Sequence, residues 1–173
     1  AARREHYVAR GVVLCTECYE EIGWITTPRC EQCGRQLDDS YTDSGNGVYC
    51  DDCRRFKQRF RNAAFVKNRA VVAYSALAQE VISLFKYRGR ETLAHPIGKL
   101  MAELVRGEYR DERIRVVTFV PLHPRREVER GFNQAERLAD VIGSELHLPV
   151  HQSLKRIEDT PKQSKRSRHS RMR

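Results

Sequence analysis

Apolar residues in the second half of the chain recur at helical spacing in three places. Leu77, Val81, Leu84 and Phe85 share one side of a helix that should end near Gly89. Ile97, Leu100, Met101, Leu104 and Val105 do the same from roughly His95 to Arg106, with Pro96 suited to the first turn. Ala135, Leu138, Ala139, Ile142 and Leu146 make the third stripe, and Asn133 with Glu136 three residues on is a capping box that starts it. Strand signals lie between and around these helices. Val116, Val117, Phe119 and Val120 form a nearly continuous apolar run, as expected of a strand covered on both faces of a parallel sheet, and Pro121 ends it. Ala63 to Ser75 reads as two short strands around Lys67-Asn68, and Val150 to Leu154 as another. Alternation of strand and helix predicts an α/β domain.

The first third of the chain lacks such stripes and carries cysteines instead. All six fall in three Cys-x-x-Cys pairs: Cys15/Cys18, Cys30/Cys33 and Cys50/Cys53. No export signal precedes them, so zinc is favoured over disulfides. Sixteen residues separate Cys33 from Cys50, which fits the spacing of a four-cysteine zinc ribbon. Four thiolates close the coordination sphere, so the ion is structural and supplies folding energy to a segment with little core of its own. Gly34 can take the positive φ of a knuckle turn. Cys15/Cys18 is then an orphan pair, with His6 a poor substitute for its missing partners. Crossed pairing of Cys15/Cys18 with Cys50/Cys53 stays open. No thioredoxin-like pattern surrounds any pair, which argues against a redox role. The stretch RRFKQRFRN (54–62) reads as a linker helix with Phe56 and Phe60 packed and its charges in water; the alternative is a nucleic-acid contact.

Charge sharpens the functional reading. The net charge is +9 over 173 residues, yet residues 155–173 hold eight Lys/Arg against Glu158 and Asp159, leaving only +3 for the rest. Such asymmetry points to a polyanion, whether phosphorylated metabolite, nucleic acid or anionic membrane, or else to a solvated tail. No apolar stretch approaches the roughly 20 residues of a transmembrane helix, and AARREHYVARG has no signal-peptide core, so a cytoplasmic protein is expected. The chain begins with Ala and stops within a basic run, so a fragment, or a chain with disordered ends removed, is expected as well.

The densest chemistry follows the 116–120 strand. The loop PLHPRREVERGF places Arg125, Arg126 and Arg130 between a strand's carboxyl end and a helix amino end, a place for an anion such as phosphate. Gly131 permits close backbone approach, and Asn133 is read as the helix cap.

VPLHPRREVERGFNQAERLA resembles the signature of the ComF family, competence-associated proteins with a phosphoribosyltransferase-like domain. FKYRGR (85–90), LKRIEDTPKQSKRSRHSR (154–171) and the cysteine-rich amino terminus resemble that family in the same order. The resemblance implies one or two zinc ribbons over 1–61 and a type I phosphoribosyltransferase-like parallel sheet with flanking helices over 62–173, incomplete at its carboxyl end. It implies a pyrophosphate loop at Arg125, Arg126, Arg130 and Gly131. It implies a hood loop carrying Lys162, Gln163, Arg166, Arg168 and Arg171, and phosphoribosyl pyrophosphate bound with Mg²⁺. Lys86 matches the lysine of the family's KY motif, although a helix carboxyl-end cap explains it as well. The ribose-phosphate motif of such enzymes, two acids followed by apolar residues and a Thr-Thr-Gly-like turn, is not found, so the printed residues should not make a competent enzyme. Two functions are therefore expected: phosphoribosyl pyrophosphate binding in DNA uptake and transformation, or a non-catalytic zinc-ribbon module that binds single-stranded DNA or scaffolds a competence helicase or channel protein.

Overall fold

The structure, a computed structural model, describes residues 6–9, 12–41, 47–59 and 65–159. An antiparallel pair, β1 (His6–Ala9) and β2 (Val12–Cys15), opens the chain and leads into α1 (Thr16–Glu21). The Cys15 sulfur caps α1 by accepting from the Cys18 N–H at 3.4 Å. A cysteine knuckle at 30–33 follows, and α2 (Asp51–Arg59) carries the next cysteine pair at its start. α2 has Asp51 and Asp52 in its first turn and Lys57 and Arg59 in its last, matching the helix dipole at both ends. It lies where a linker helix was expected, and Phe56 on it is only partly covered.

The expected strands between 63 and 75 do not form a pair of their own. Residues 63 and 64 lie outside the described part, and the backbone of 68–73 is spent on the cysteine module instead. Asn68 N–H donates to Gln32 O at 2.7 Å, Ile25 N–H to Val71 O at 3.2 Å and Ala73 N–H to Gly23 O at 2.7 Å. Trp24 and Val72 make an isolated antiparallel bridge. An ion cluster centred on the buried Arg69 side chain reinforces this contact. The Arg69 side chain, 5% exposed, meets Glu108 at 3.1 Å and Glu31 at 3.4 Å, while Arg29 meets the same Glu108 oxygen at 2.5 Å. Arg69 also donates to the Glu31 carbonyl at 2.8 Å.

Three helices then appear where the apolar stripes place them: α3 (Ala76–Tyr87), α4 (Ala94–Glu108) and α6 (Gln134–Leu146). Ser75 caps α3 through its hydroxyl, and Asn133 caps α6, its side-chain oxygen accepting from the N–H groups of Ala135 and Glu136. α4 packs along α6 at close range because Gly98 faces Val141; a Cβ at Gly98 would lie 2.6 Å from the Val141 side chain. Phe85 of α3, Ala94 of α4 and Phe132 form a buried cluster flanked by Leu93, Ile97 and Leu138. The Phe85 and Phe132 rings are 5.6 Å apart. α3, α4 and residues 69–72 also enclose an apolar hollow of about 500 Å³ lined by Val71, Val81, Ile82, Leu100, Leu104 and Ile114.

The central strand is shorter and barer than expected. β3 (Val117–Thr118) pairs in parallel with β4 (Val150–His151), in the register Val117 with Val150 and Thr118 with His151. A parallel pair needs a crossover, supplied here by α5 (Pro124–Arg130) and α6. Phe119 is buried, whereas Val116 is 42% and Val120 64% exposed. Cover on both faces is therefore not observed: α6 packs on this pair, and Val116 and Val120 stay open among the described residues. The fold is mixed α/β, a cysteine ribbon followed by helices and a small parallel sheet.

Candidate functional sites: a four-thiolate metal centre and an arginine pair

Cys30, Cys33, Cys50 and Cys53 converge, their four sulfurs all within 4.8 Å of one another. Cys33 and Cys50 sulfurs are 3.7 Å apart. A tetrahedron with Zn–S bonds of about 2.3 Å places its sulfurs about 3.8 Å apart, so this set fits zinc. Of the pairings left open by spacing, the structure brings 30/33 together with 50/53. The Cys30 backbone N–H donates to Arg35 O at 2.9 Å and Gly34 N–H to Cys30 O at 3.0 Å, closing the knuckle. Gly34 takes φ +70°, and a Cβ there would meet the Asn68 carbonyl at 2.6 Å. Burial pushes the Cys30 thiol up, but hydrogen bonds from the Cys33, Cys50 and Gln32 backbones outweigh it and hold its pKa at about 6. Burial, aided by the neighbouring thiols, pushes Cys53 up. A set of thiols in which one ionises this readily is primed for a cation. Cys15 and Cys18 are half-buried and join no ligand cluster among the described residues. His6 lies opposite Cys15 in the β1–β2 register.

The second site grows from the segment after β3, which is a helix where a loop was expected. His123 caps α5 by accepting the Arg125 N–H at 3.4 Å, Pro124 takes the first turn, and Gly131 ends it at φ +84°. A Cβ on Gly131 would meet nothing within 4 Å, so the glycine is there for its dihedral angle. The next residues each have a structural duty. Phe132 anchors the turn in the core, and Asn133 caps α6. Gln134 is buried, donates to Phe132 O at 3.1 Å and accepts from Arg130 at 2.9 Å.

The three expected arginines divide into two groups. Arg125 and Arg126 come together: both face Glu129, at 3.5 and 3.1 Å, and both face Asp159, at 3.9 and 3.2 Å. Asp159 and Glu129 push the Arg126 pKa further up. Arg130 is engaged elsewhere, with Gln134 and with the Tyr87 ring, whose centre is 5.2 Å from its guanidinium carbon. Lys86 is exposed on the last turn of α3. The hood-loop residues Lys162, Gln163, Arg166, Arg168 and Arg171 lie outside the described residues. Glu129 was detectable in principle, since it lies three and four residues from the two arginines it meets on α5, whereas the Arg130–Gln134 contact spans the break at Gly131 and has no helical spacing behind it. Asp159 had no such signal, being 33 residues from Arg126.

Residues 3–54 match a family described as the double zinc ribbon domain. Competence protein ComFC of Bacillus subtilis (strain 168) is 32% identical over 92% of this chain. The chain is thus similar to ComFC over most of its own length. Competence protein ComFC of Streptococcus pneumoniae (strain ATCC BAA-255 / R6) is 26% identical over 76% of the chain. The chain spans 61% of the length of the first relative and 53% of the second. No solved structure matches it at a significant level. Among the described residues no helix is long and apolar enough to cross a membrane.

Proposed function

We propose that this chain binds phosphoribosyl pyrophosphate through Arg125 and Arg126 and serves DNA uptake in natural transformation, as the name of its relatives suggests for them. One observation carries the reading. Two adjacent arginines beyond the carboxyl end of β3 point at one carboxylate, each facing a different oxygen of Asp159. Paired guanidinium groups so placed suit a diphosphate, whose non-bridging oxygens present the same divided charge. When the bond from ribose to pyrophosphate breaks, negative charge grows on the departing group, and fixed cations there favour the transition state over the ground state. Mg²⁺ would arrive with the diphosphate. Among the described residues the cluster able to hold a metal is the four-cysteine one. The acceptor is left unassigned, and so is turnover. Calorimetric titration with phosphoribosyl pyrophosphate and Mg²⁺ tests the reading. Saturable binding that disappears in Arg126→Ala is expected; silence from folded wild-type protein would end it.

A second reading has an observation of its own. α2 presents Arg54, Arg55, Lys57 and Arg59 on an exposed surface, with the Lys57 ammonium 3.4 Å from the Tyr49 ring centre and Arg54 5.7 Å from that of Tyr41. Cations interleaved with rings suit single-stranded DNA. In that reading the affinity for an oligonucleotide falls linearly with log salt, and Lys57→Ala with Arg59→Ala flattens the slope by about one to two charges. An affinity indifferent to those substitutions speaks against it.

A further inference from the structure

The geometry points to Asp159 as an internal competitor for the anion site: its carboxylate sits where a phosphate of the ligand would sit, and residues 152–159 form a latch the ligand must displace. The inference rests on the anion-site reading above. Three features support it. First, the two carboxylate oxygens meet two different guanidinium groups, Oδ1 of Asp159 accepting from Arg126 Nε at 3.2 Å and Oδ2 lying at ion-pair distance, 3.9 Å, from Arg125 Nη1. That is how two non-bridging phosphate oxygens meet paired guanidinium groups. Second, the carboxylate is better covered than most of its surroundings. The Asp159 side chain is 25% exposed, against 82% for Ile157 and 50% for Leu154. The backbone of this stretch does little to hold it, with Ser153 N–H on His151 O and Arg156 Nε on Glu158 O. Asp159 is thus an anchor of a largely exposed strap in which Arg156 is half-buried. Third, the other carboxylate on these arginines, Glu129, belongs to α5 itself and moves with them. Of the two carboxylates seen on these arginines among the described residues, Asp159 is the one from a separate segment, so it can leave without unfolding the helix.

A strap that occupies the site lowers apparent affinity by the fraction of molecules in which it is closed. Ion pairs this accessible to water correspond to about two- to fivefold in a binding constant.

The experiment uses the full chain with zinc, titrated calorimetrically with inorganic pyrophosphate. Four variants are compared with wild type: Asp159→Asn, Glu158→Gln, Arg126→Ala, and Asp159→Asn with Arg126→Ala. Glu158→Gln removes the same charge from the neighbouring exposed position. Asp159→Asn should bind about two- to fivefold more tightly, Glu158→Gln should match wild type, and the gain should vanish with Arg126→Ala. Wild-type binding with no gain in Asp159→Asn, or an equal gain in Glu158→Gln, overturns the latch and leaves the anion site standing. Silence from both wild type and Asp159→Asn, with circular dichroism unchanged, removes the anion site and the latch together.

Discussion

Replacing Gly34 by alanine tests the link between the metal knuckle and the rest of the chain. Two costs combine. The backbone sits at φ +70°, a left-handed conformation that costs an L residue roughly 1–2 kcal/mol. The new methyl would also meet the Asn68 carbonyl at 2.6 Å and the Arg69 Cα at 3.2 Å. Both neighbours are backbone, so the segment must retreat. It is held there by Asn68 N–H on Gln32 O at 2.7 Å and by the Asn68 side chain on Cys33 O at 3.0 Å. Weakening two hydrogen bonds adds about 1–2 kcal/mol. The total, about 2–4 kcal/mol, lowers Tm by about 5–15 °C in a chain of this size. Gly89 supplies the internal control. It has φ +63° but nothing within 4 Å of a Cβ, so Gly89→Ala carries the dihedral cost alone, a fall of about 2–8 °C. Scanning calorimetry of the zinc-loaded proteins gives both numbers, and competition with a chromogenic chelator reports metal release, which should be faster in Gly34→Ala. Equal Tm shifts in the two variants would refute the claim that the knuckle rests on residues 68–69.

Three further outcomes are expected. Cys53→Ser should lower the bound zinc, measured by elemental analysis, by one equivalent, because a site fitted to four sulfurs closes poorly with three. Glu108→Gln should destabilise above about pH 4.5 and hardly at all well below it. Burial pushes the Glu108 carboxyl up, but Arg29 and Arg69 outweigh that and hold it below its ordinary 4.5, so its contribution is present above that value and lost as pH falls through the lowered one. Urea unfolding of both proteins across pH 3–7 checks the sign; a difference that grows on acidification contradicts it. Gly98→Ala should cost about 1–3 kcal/mol by forcing α4 off Val141, read as a lower urea midpoint at constant m-value.

The helices were legible because α3, α4 and α6 each pack one apolar stripe, and that stripe is the packing. The cysteine spacing was legible for a similar reason, since ligand geometry leaves little freedom in sequence. α5 was not. Its one large apolar residue, Val128, is 85% exposed, so no hydrophobic period marks it. Its ends are defined by His123, Pro124 and Gly131, and its surface by arginine–glutamate pairs. The 65–75 segment misled because its bonding partners lie in the cysteine module, and pairing across that distance leaves no local trace. The arginines were found as a group, but their division was not, since Arg130 is drawn off by Gln134 and Tyr87. RGFNQAE was the core of the family resemblance, and the structure gives Gly131, Phe132, Asn133 and Gln134 within it a job in shaping a bend: a left-handed stop, a buried anchor, a cap and a brace.

The clasp from the knuckle to α4 has a physiological consequence. Carbonyls of Glu31 and Cys33 hold Arg69 and Asn68, and Arg69 grips Glu108 one step further on. Loss of the ion would therefore loosen the helices rather than only a peripheral tag. Starved of its metal, the whole polypeptide would open to proteolysis, and zinc supply would set how long the protein lasts.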